Sequence, residues 1–163
     1  MAGSDKIAKL PGTPPGRISD ETLRQFIGYY MKRAYNVIQS DLVNALKPYE
    51  LRLVTYSALV IIHDNPGLRQ SQLADVLAIE RPNLVVIVDE LEQRDLIVRD
   101  RSAVDRRAYA LRVTKAGAAL YDAATKAVQD HEDKFCAGMS PEQRATVLDA
   151  MNSIWNMKTE ASS

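Results

Sequence analysis

The chain has 163 residues, enough for one domain or for one domain with additional helices. Its 21 basic and 21 acidic side chains balance, so no overall positive field draws it to polyanions, and any nucleic-acid-binding surface must be local. A single cysteine, Cys136, excludes an internal disulfide and suits a reducing compartment. No apolar run approaches the roughly 20 residues of a membrane span, and the N-terminus lacks the apolar core of a signal peptide, so we expect a cytoplasmic protein.

Apolar spacing and turn signals predict helices over most of the chain. Residues 1–18 contain three glycines and three prolines and predict a mobile arm. Thr114 is placed to cap a helix, and Ser140 and Gln143 form the pattern of a capping box at the start of the last helix. In chain order, the elements predicted after the arm are helices over 21–46 (capped by Ser19 or Asp20), 54–64 and 70–77, a helix from Pro82, strands over 96–99 and 108–113, a helix over 115–134 and a helix from Pro141.

The order of helix, short helix, helix and hairpin predicts a winged helix-turn-helix. Residues 78–80 form the tight connection, and Pro82 suits the first turn of the next helix because its missing N–H costs nothing there. That helix has the size of a recognition helix for a DNA major groove, and the hairpin supplies the wing. The predicted fold is therefore all-α with a two-stranded β wing.

The hairpin is locally basic. Between Arg99 and Lys115 the chain has six basic and two acidic residues, a net charge of +4 inside a neutral protein. Such a run is usually only a solvated surface. Its position directly after a helix-turn-helix instead favours DNA contact, because the weakly hydrated arginine head suits a narrow minor groove.

The tip of this hairpin carries the most specific motif of the chain. Asp105-Arg106-Arg107-Ala108 is followed by Leu111-x-Val113-Thr114-x-x-Gly117. Together with the helix-turn-helix before it, from residue 68, this segment resembles the DNA-binding core of the MarR family of bacterial transcription regulators, and the flanking helices extend the resemblance to about residues 20–158. The resemblance implies a homodimer whose first and last helices intertwine, with recognition helices in successive major grooves of a pseudo-palindromic operator. It also implies wing arginines in the flanking minor grooves.

The chain departs from the family at positions that matter for DNA reading. Ser102-Ala103 stands where the family often has Asp-Pro, and Val85, Val86 and Glu90 stand where threonines and arginines are common. Glu90 would repel phosphate, although it could accept a hydrogen bond from a cytosine amino group. Base reading is therefore expected from the start of the recognition helix, and Asp105 is expected to orient a wing arginine. The predicted DNA-binding residues are Arg81, Asn83, Val86, Arg101, Asp105, Arg106 and Arg107.

The domain division follows from the same resemblance. Residues 19–50 and 115–158 are expected to form the dimerisation helices, residues 51–114 the DNA-binding domain, and residues 159–163 a tail. The apolar residues expected to pack the dimer on the last helix are Val147, Leu148, Met151, Ile154 and Trp155.

Many family members release DNA when a small, often phenolic or acidic ligand binds between the dimerisation and DNA-binding parts. Tyr29, Arg33 and Asn36 follow i, i+4, i+7 spacing and share one helix face, and Tyr56 lies on the next helix. We predict that these four bind an aromatic carboxylic acid or its coenzyme A thioester, with Arg33 on the acidic group. In the alternative interpretation, the tyrosines are core and dimer-interface residues, which is favoured for Tyr30 and Tyr35.

Other functions are weighed against this one. No catalytic triad, phosphate loop, metal cluster or nucleotide fingerprint appears in the sequence, so neither an enzyme nor a cofactor is expected. His63 and His131 lack metal-ligand spacing. The alternatives that stay open are a winged-helix module that binds proteins, which the basic wing disfavours, and a redox-sensing regulator that acts through Cys136. Relatives that sense peroxide carry their cysteines near the start of the first helix, where this chain has none.

Overall fold

The computed structural model describes residues 18–101 and 109–160. They belong to two compact units, one that ends at Val37 and one that begins at Ile38. The helices and strands are α1 (Ile27–Leu46), α2 (Leu53–Asp64), β1 (Leu68–Arg69), α3 (Gln70–Leu77), α4 (Arg81–Gln93), β2 (Ile97–Arg101), β3 (Tyr109–Val113), α5 (Lys115–Cys136) and α6 (Pro141–Glu160). The predicted order of helices and hairpin strands is confirmed. None of the described helices is long and apolar enough to cross a membrane.

The first helix begins later than predicted, at Ile27 and not at Glu21. A 3-10 turn over Leu23–Gln25 is followed by Phe26, whose backbone is extended (φ −112°, ψ 128°). The Asp20 carboxylate, a predicted cap, is instead held by the side chains of Arg24 and Tyr29. It is therefore not available to the backbone N–H groups of a first helical turn, and the regular helix starts only after Phe26.

Two other predicted caps are confirmed. Thr114 Oγ1 accepts a hydrogen bond from Gly117 N at 2.9 Å and so starts α5. At the start of α6, Ser140 Oγ accepts from Gln143 N at 3.3 Å, while Ser140 N donates to Gln143 Oε1 at 2.8 Å. This reciprocal pair is the capping box that the sequence indicates.

The wing belongs to a three-stranded antiparallel sheet with the order β1-β3-β2, and not to a hairpin alone. The predicted hairpin pairs Ile97 with Val113 at one end and Arg101 with Tyr109 at the other. The added strand β1 has only two residues, and its Leu68 pairs with Leu111. Two residues are too few to show an alternating pattern, so this strand could not be predicted from the sequence.

The core lies where α2, α3, α4 and the sheet meet. Leu59 of α2, Leu73 of α3, Leu91 of α4 and Leu111 of β3 are all completely buried there. Each such side chain contributes about 1.5–3 kcal/mol through removal of its apolar surface from water. The core therefore holds the helix-turn-helix and the base of the wing together as one unit.

A left-handed residue closes the turn between α3 and α4. Ala78 has φ +52°, Ile79 N donates to Ala74 O at 3.1 Å, and Ala78 N donates to Asp75 O at 3.2 Å. These two bonds form a Schellman motif, which usually has glycine at the left-handed position. The turn fixes the direction in which α4 leaves α3.

Helix α5 passes very close to Leu96, the residue directly before β2. A Cβ atom built on Gly117 would lie 1.9 Å from Leu96 O and 2.8 Å from Val113 Cγ1. Leu96 O also accepts a hydrogen bond from Thr114 N at 3.0 Å, so it is not free to move away. Only glycine fits at this position, which gives a physical reason for the last residue of the Leu111-to-Gly117 motif.

Candidate DNA-binding surface and effector site

The N-terminal half of α4 presents an exposed side opposite a buried one. Leu84 and Ile87 face the core with 1% and 6% of their surface exposed. Val86 is 62% exposed, and Arg81 and Asn83 are also exposed. The three residues predicted to read DNA from this helix thus lie on its outward side, where a guanidinium and an amide can offer hydrogen bonds to base edges.

The carboxylates farther along α4 are paired with arginines from other elements. Arg99 of β2 pairs with Asp89 and, through Nη1, with Glu92 at 2.9 Å. Glu90 pairs with Arg52, which directly precedes α2. The interpretation of Glu90 as a group that faces phosphate or cytosine is therefore replaced by one in which it joins α4 to the start of α2.

The wing is described up to its strand ends. Arg101 ends β2 opposite Tyr109, and Arg112 of β3 pairs with Asp100 at 3.3 Å. Asp100 is already included in the net charge of the segment, but Asp89 and Glu92, which hold Arg99, are not, so the positive charge of the wing is smaller than the sequence count indicates. The residues predicted for the tip, Asp105, Arg106 and Arg107, lie outside the described residues.

Within residues 18–37, four polar side chains form a connected group, which we call the Asp20 cluster. The Asp20 carboxylate accepts from Arg24 Nε at 2.7 Å and from the Tyr29 hydroxyl. Arg33 Nη1 donates to Tyr29 Oη at 3.1 Å, and its guanidinium carbon lies 5.6 Å from the centre of the Tyr29 ring. The hydrogen bond from Arg24, followed by that from Tyr29, lowers the pKa of Asp20 to about 2.

The structure thus brings Tyr29 and Arg33 together, as their spacing predicts, whereas the side chain of Asn36 is simply exposed. Arg24 was not among the residues predicted for the site, and Asp20 was predicted only as a cap. The i, i+4 spacing of these two residues was an available signal for an ion pair. Tyr30 and Tyr35 are 38% and 48% exposed in the single chain, so they do not belong to its core.

Tyr56 lies in the second unit, at the contact between α2 and α5. Its hydroxyl donates to Thr125 Oγ1 at 3.3 Å. Two turns farther along the same face of α2, the His63 ring stacks on Tyr121, with 3.7 Å between ring centres and 14° between ring planes. The spacings of seven residues on α2 and four on α5 were signals that each pair shares a helix face, but the sequence did not show that the two faces meet.

A groove of about 550 Å³ lies between the C-terminal part of α1 and α5. It is open to solvent and combines charged side chains with one aromatic ring. Its lining residues are Asp41, Ala45, Ala127, Asp130, His131, Lys134 and Phe135. Within residues 18–101 and 109–160, no group of three or more His, Cys, Asp or Glu side chains is placed to hold a metal ion.

Cys136, the last residue of α5, has an environment that suppresses its thiolate. Burial raises the pKa of the Cys136 thiol, and Glu132, whose Oε1 lies 3.5 Å from Sγ, raises it further. Reactive cysteines need the opposite, a lowered pKa in a positively charged setting. The environment therefore disfavours the redox-sensing alternative.

The fold, with its exposed recognition helix and its sheet-based wing, is that of a winged helix-turn-helix protein. Residues 51–109 match the model of the MarR family. The transcriptional repressor CouR, bound to a 23-mer DNA duplex, is 34% identical in sequence, and the match covers 85% of this chain and 98% of that one with a TM-score of 0.80. The chain belongs to the MarR family, which is a family of transcriptional regulators and not a class of enzymes.

Two further relatives bear on function. CouR bound to p-coumaroyl-CoA is 32% identical, with 85% of this chain and 97% of that one covered and a TM-score of 0.75. A putative transcriptional regulatory protein for the hcr operon of Thauera aromatica is 35% identical over 105 residues. That match covers 64% of this chain and 63% of the length of the Thauera protein.

Proposed function

We propose that this protein is a homodimeric, sequence-specific DNA-binding regulator that represses its target genes until a small effector releases it from DNA. The observation that carries the proposal is α4, from which Arg81, Asn83 and Val86 project outward while the opposite side is buried in the core. A helix held in this way can enter a major groove with its side chains at the base edges. The likeness to CouR bound to a DNA duplex supports this assignment.

The exposed apolar side of α6 supports the homodimer. Leu148, Met151 and Trp155 follow helical spacing and are 53%, 41% and 76% exposed in the single chain. Large apolar side chains in water on a long helix are accounted for by a symmetric interface, which would cover them on both copies at once. A folded monomer at micromolar concentration, measured by light scattering, would contradict this part of the proposal.

The DNA face is tested by binding to duplexes from upstream of the protein's own gene, measured by fluorescence anisotropy over a range of salt. Arg107→Ala should weaken every site and reduce the slope of log K against log salt by about one. Asn83→Ala should instead change which sequences are preferred. Lys126→Ala removes the same charge from α5, away from the proposed face, and should leave both properties unchanged. If Arg107→Ala and Asn83→Ala both bind like Lys126→Ala and wild type, the DNA face is wrongly assigned.

For the effector, we propose an aromatic carboxylic acid or its coenzyme A thioester, bound by Tyr29, Arg33, Asn36 and Tyr56. The support within the chain is the pairing of Tyr29 with Arg33, because a guanidinium beside a phenol can hold an oxyanion next to an aromatic ring. The support from the comparisons is CouR bound to p-coumaroyl-CoA, which favours the thioester. Release requires that the effector bind the conformation that cannot bind DNA more tightly than the one that can.

Calorimetry with benzoate, p-coumarate and p-coumaroyl-CoA, on wild type and Arg33→Ala, tests this assignment. One of these compounds should bind wild type, bind Arg33→Ala more weakly and dissociate the DNA complex. Binding of none of them, or binding that leaves the DNA complex intact, would remove the effector proposal while leaving the assignment as a DNA-binding regulator in place.

A further inference from the structure

The Asp20 cluster already contains an anion, the carboxylate of Asp20 itself. The carboxylate of Asp20 lies between the Arg24 guanidinium and the Tyr29 hydroxyl, and Arg33 contacts the same hydroxyl from its other side. Two guanidinium groups and one phenol are the donors that proteins use for carboxylates and phosphates. The chain thus places a carboxylate of its own on two of these three donors, Arg24 and Tyr29.

The charges of the cluster do not balance. Asp20 pairs with Arg24, but among the described residues Arg33 has no carboxylate within ion-pair distance. Because the pKa of Asp20 is lowered to about 2 by its hydrogen bonds, it keeps its charge at any physiological pH. The cluster as a whole thus carries one excess positive charge and can still attract an anion.

The position of Asp20 in the chain allows it to leave the cluster. It comes before the 3-10 turn over Leu23–Gln25 and is not part of a regular helix, and Ile18, two residues before it, is 97% exposed. The Asp20 side chain is itself 23% exposed, and that of Arg24 is 36% exposed. Displacement of Asp20 would therefore break one ion pair and one hydrogen bond to Tyr29 without opening the core.

We propose that Asp20 is an internal competitor for the effector: it occupies the Arg24 and Tyr29 part of an oxyanion site that Arg33 extends, and a carboxylate or phosphate group of the effector binds by displacing it. The inference rests on the proposed effector function and adds Arg24 to that site. The effector can bind only those molecules in which Asp20 has left the site. Its apparent affinity is therefore its intrinsic affinity multiplied by the fraction of such molecules. Because the site is partly exposed to water and salt, removal of the Asp20 charge should tighten effector binding by roughly three- to tenfold.

The test compares wild type with Asp20→Asn and Glu21→Gln. Both variants lose one negative charge from adjacent positions, one half-buried and one exposed, but the Glu21 side chain makes no hydrogen bond or ion pair with the cluster. Calorimetry with p-coumarate, coenzyme A and p-coumaroyl-CoA should show tighter binding to Asp20→Asn alone. A gain for p-coumarate identifies the competing group as a carboxylate, and a gain for coenzyme A and its thioester identifies it as a phosphate.

A second measurement does not depend on any organic effector. Inorganic phosphate is titrated into each protein while the nitrogen-15 resonances of the arginine Nε atoms are followed. The Arg24 and Arg33 resonances should shift at lower phosphate concentration in Asp20→Asn than in wild type or Glu21→Gln.

The outcomes separate the two proposals. If no organic compound binds any of the three proteins, the effector proposal fails, and the phosphate titration alone decides the role of Asp20. If an effector binds and releases DNA but Asp20→Asn behaves like Glu21→Gln in both measurements, the competitor role is wrong and the effector function stands.

Discussion

Replacement of Gly117 by alanine tests whether the close approach of α5 to the sheet is as tight as the structure shows. In a helix, alanine is normally better than glycine by about 1 kcal/mol. At this position the added Cβ would lie 1.9 Å from Leu96 O and 2.8 Å from Leu96 C, which are backbone atoms and cannot rotate away. The variant therefore gains helix propensity but loses packing.

The balance can be estimated from the contacts. Forcing extra atoms into a packed interior costs about 1–3 kcal/mol, and a larger backbone shift raises this cost. A shift of Leu96 would also weaken its hydrogen bond from Thr114 N, which is 3.0 Å long and worth about 0.5–1.5 kcal/mol. After the gain in propensity is subtracted, we expect Gly117→Ala to lower the free energy of unfolding by roughly 1–3 kcal/mol.

The assay is urea unfolding followed by circular dichroism, with all variants at one protein concentration because the stability of a dimer depends on concentration. Gly28→Ala is the matched control, since Gly28 lies in α1 and a Cβ there meets nothing within 4 Å among the residues that the structure describes. The control should be as stable as wild type or more stable. If Gly117→Ala is also at least as stable as wild type, the close approach of α5 to Leu96 is wrong.

Three further predictions concern the turn, the strand and the thiol. Ala78→Gly should stabilise the protein by about 0.5–1 kcal/mol because the backbone of Ala78 is left-handed. The control Ala119→Gly, within α5, should destabilise it by about 1 kcal/mol. Urea unfolding of both variants tests whether the two changes in stability have opposite signs. Arg99→Met should cost about 1–2 kcal/mol of stability in the same assay because two carboxylates lose their partner, and an unchanged midpoint would contradict the ion pairs. Cys136 should react with iodoacetamide more slowly than free cysteine, and Glu132→Gln should speed the reaction by lowering the pKa; equal rates for the two proteins would count against this environment.

The parts of the fold that were predictable are those with local causes. Thr114 and the Ser140–Gln143 pair bond to backbone groups within three residues, so the sequence alone places these helix starts. Asp20 has the same kind of side chain, yet it pairs with Arg24 and Tyr29 and the helix begins later. Competition between a backbone group and a side chain nine residues away is not visible in a capping pattern.

The candidate site was predictable in its outline but not in its partners. Spacing placed Tyr29 and Arg33 on one face and Arg81 and Asn83 at the start of α4, and the structure has both arrangements. The pairing of Glu90 with Arg52 joins residues 38 positions apart. Local sequence patterns carry no information about such a pair, because it depends on how α2 and α4 pack in the core.

The ion pairs of α4 reduce the positive charge that the wing offers to DNA. Arg99 contributes to the basic count of the wing, but Asp89 and Glu92, which lie outside that segment in sequence, contact its guanidinium. When these two carboxylates are included, the net charge of residues 99–115 and their partners falls from +4 to +2. Affinity for DNA grows with the number of phosphates that free cations neutralise, so a single copy with so few of them would bind weakly at physiological salt. Two copies on one duplex double the number of contacts between cations and phosphates without any added charge per chain. We therefore expect the dimer to be necessary for DNA binding as well as for covering the apolar side of α6.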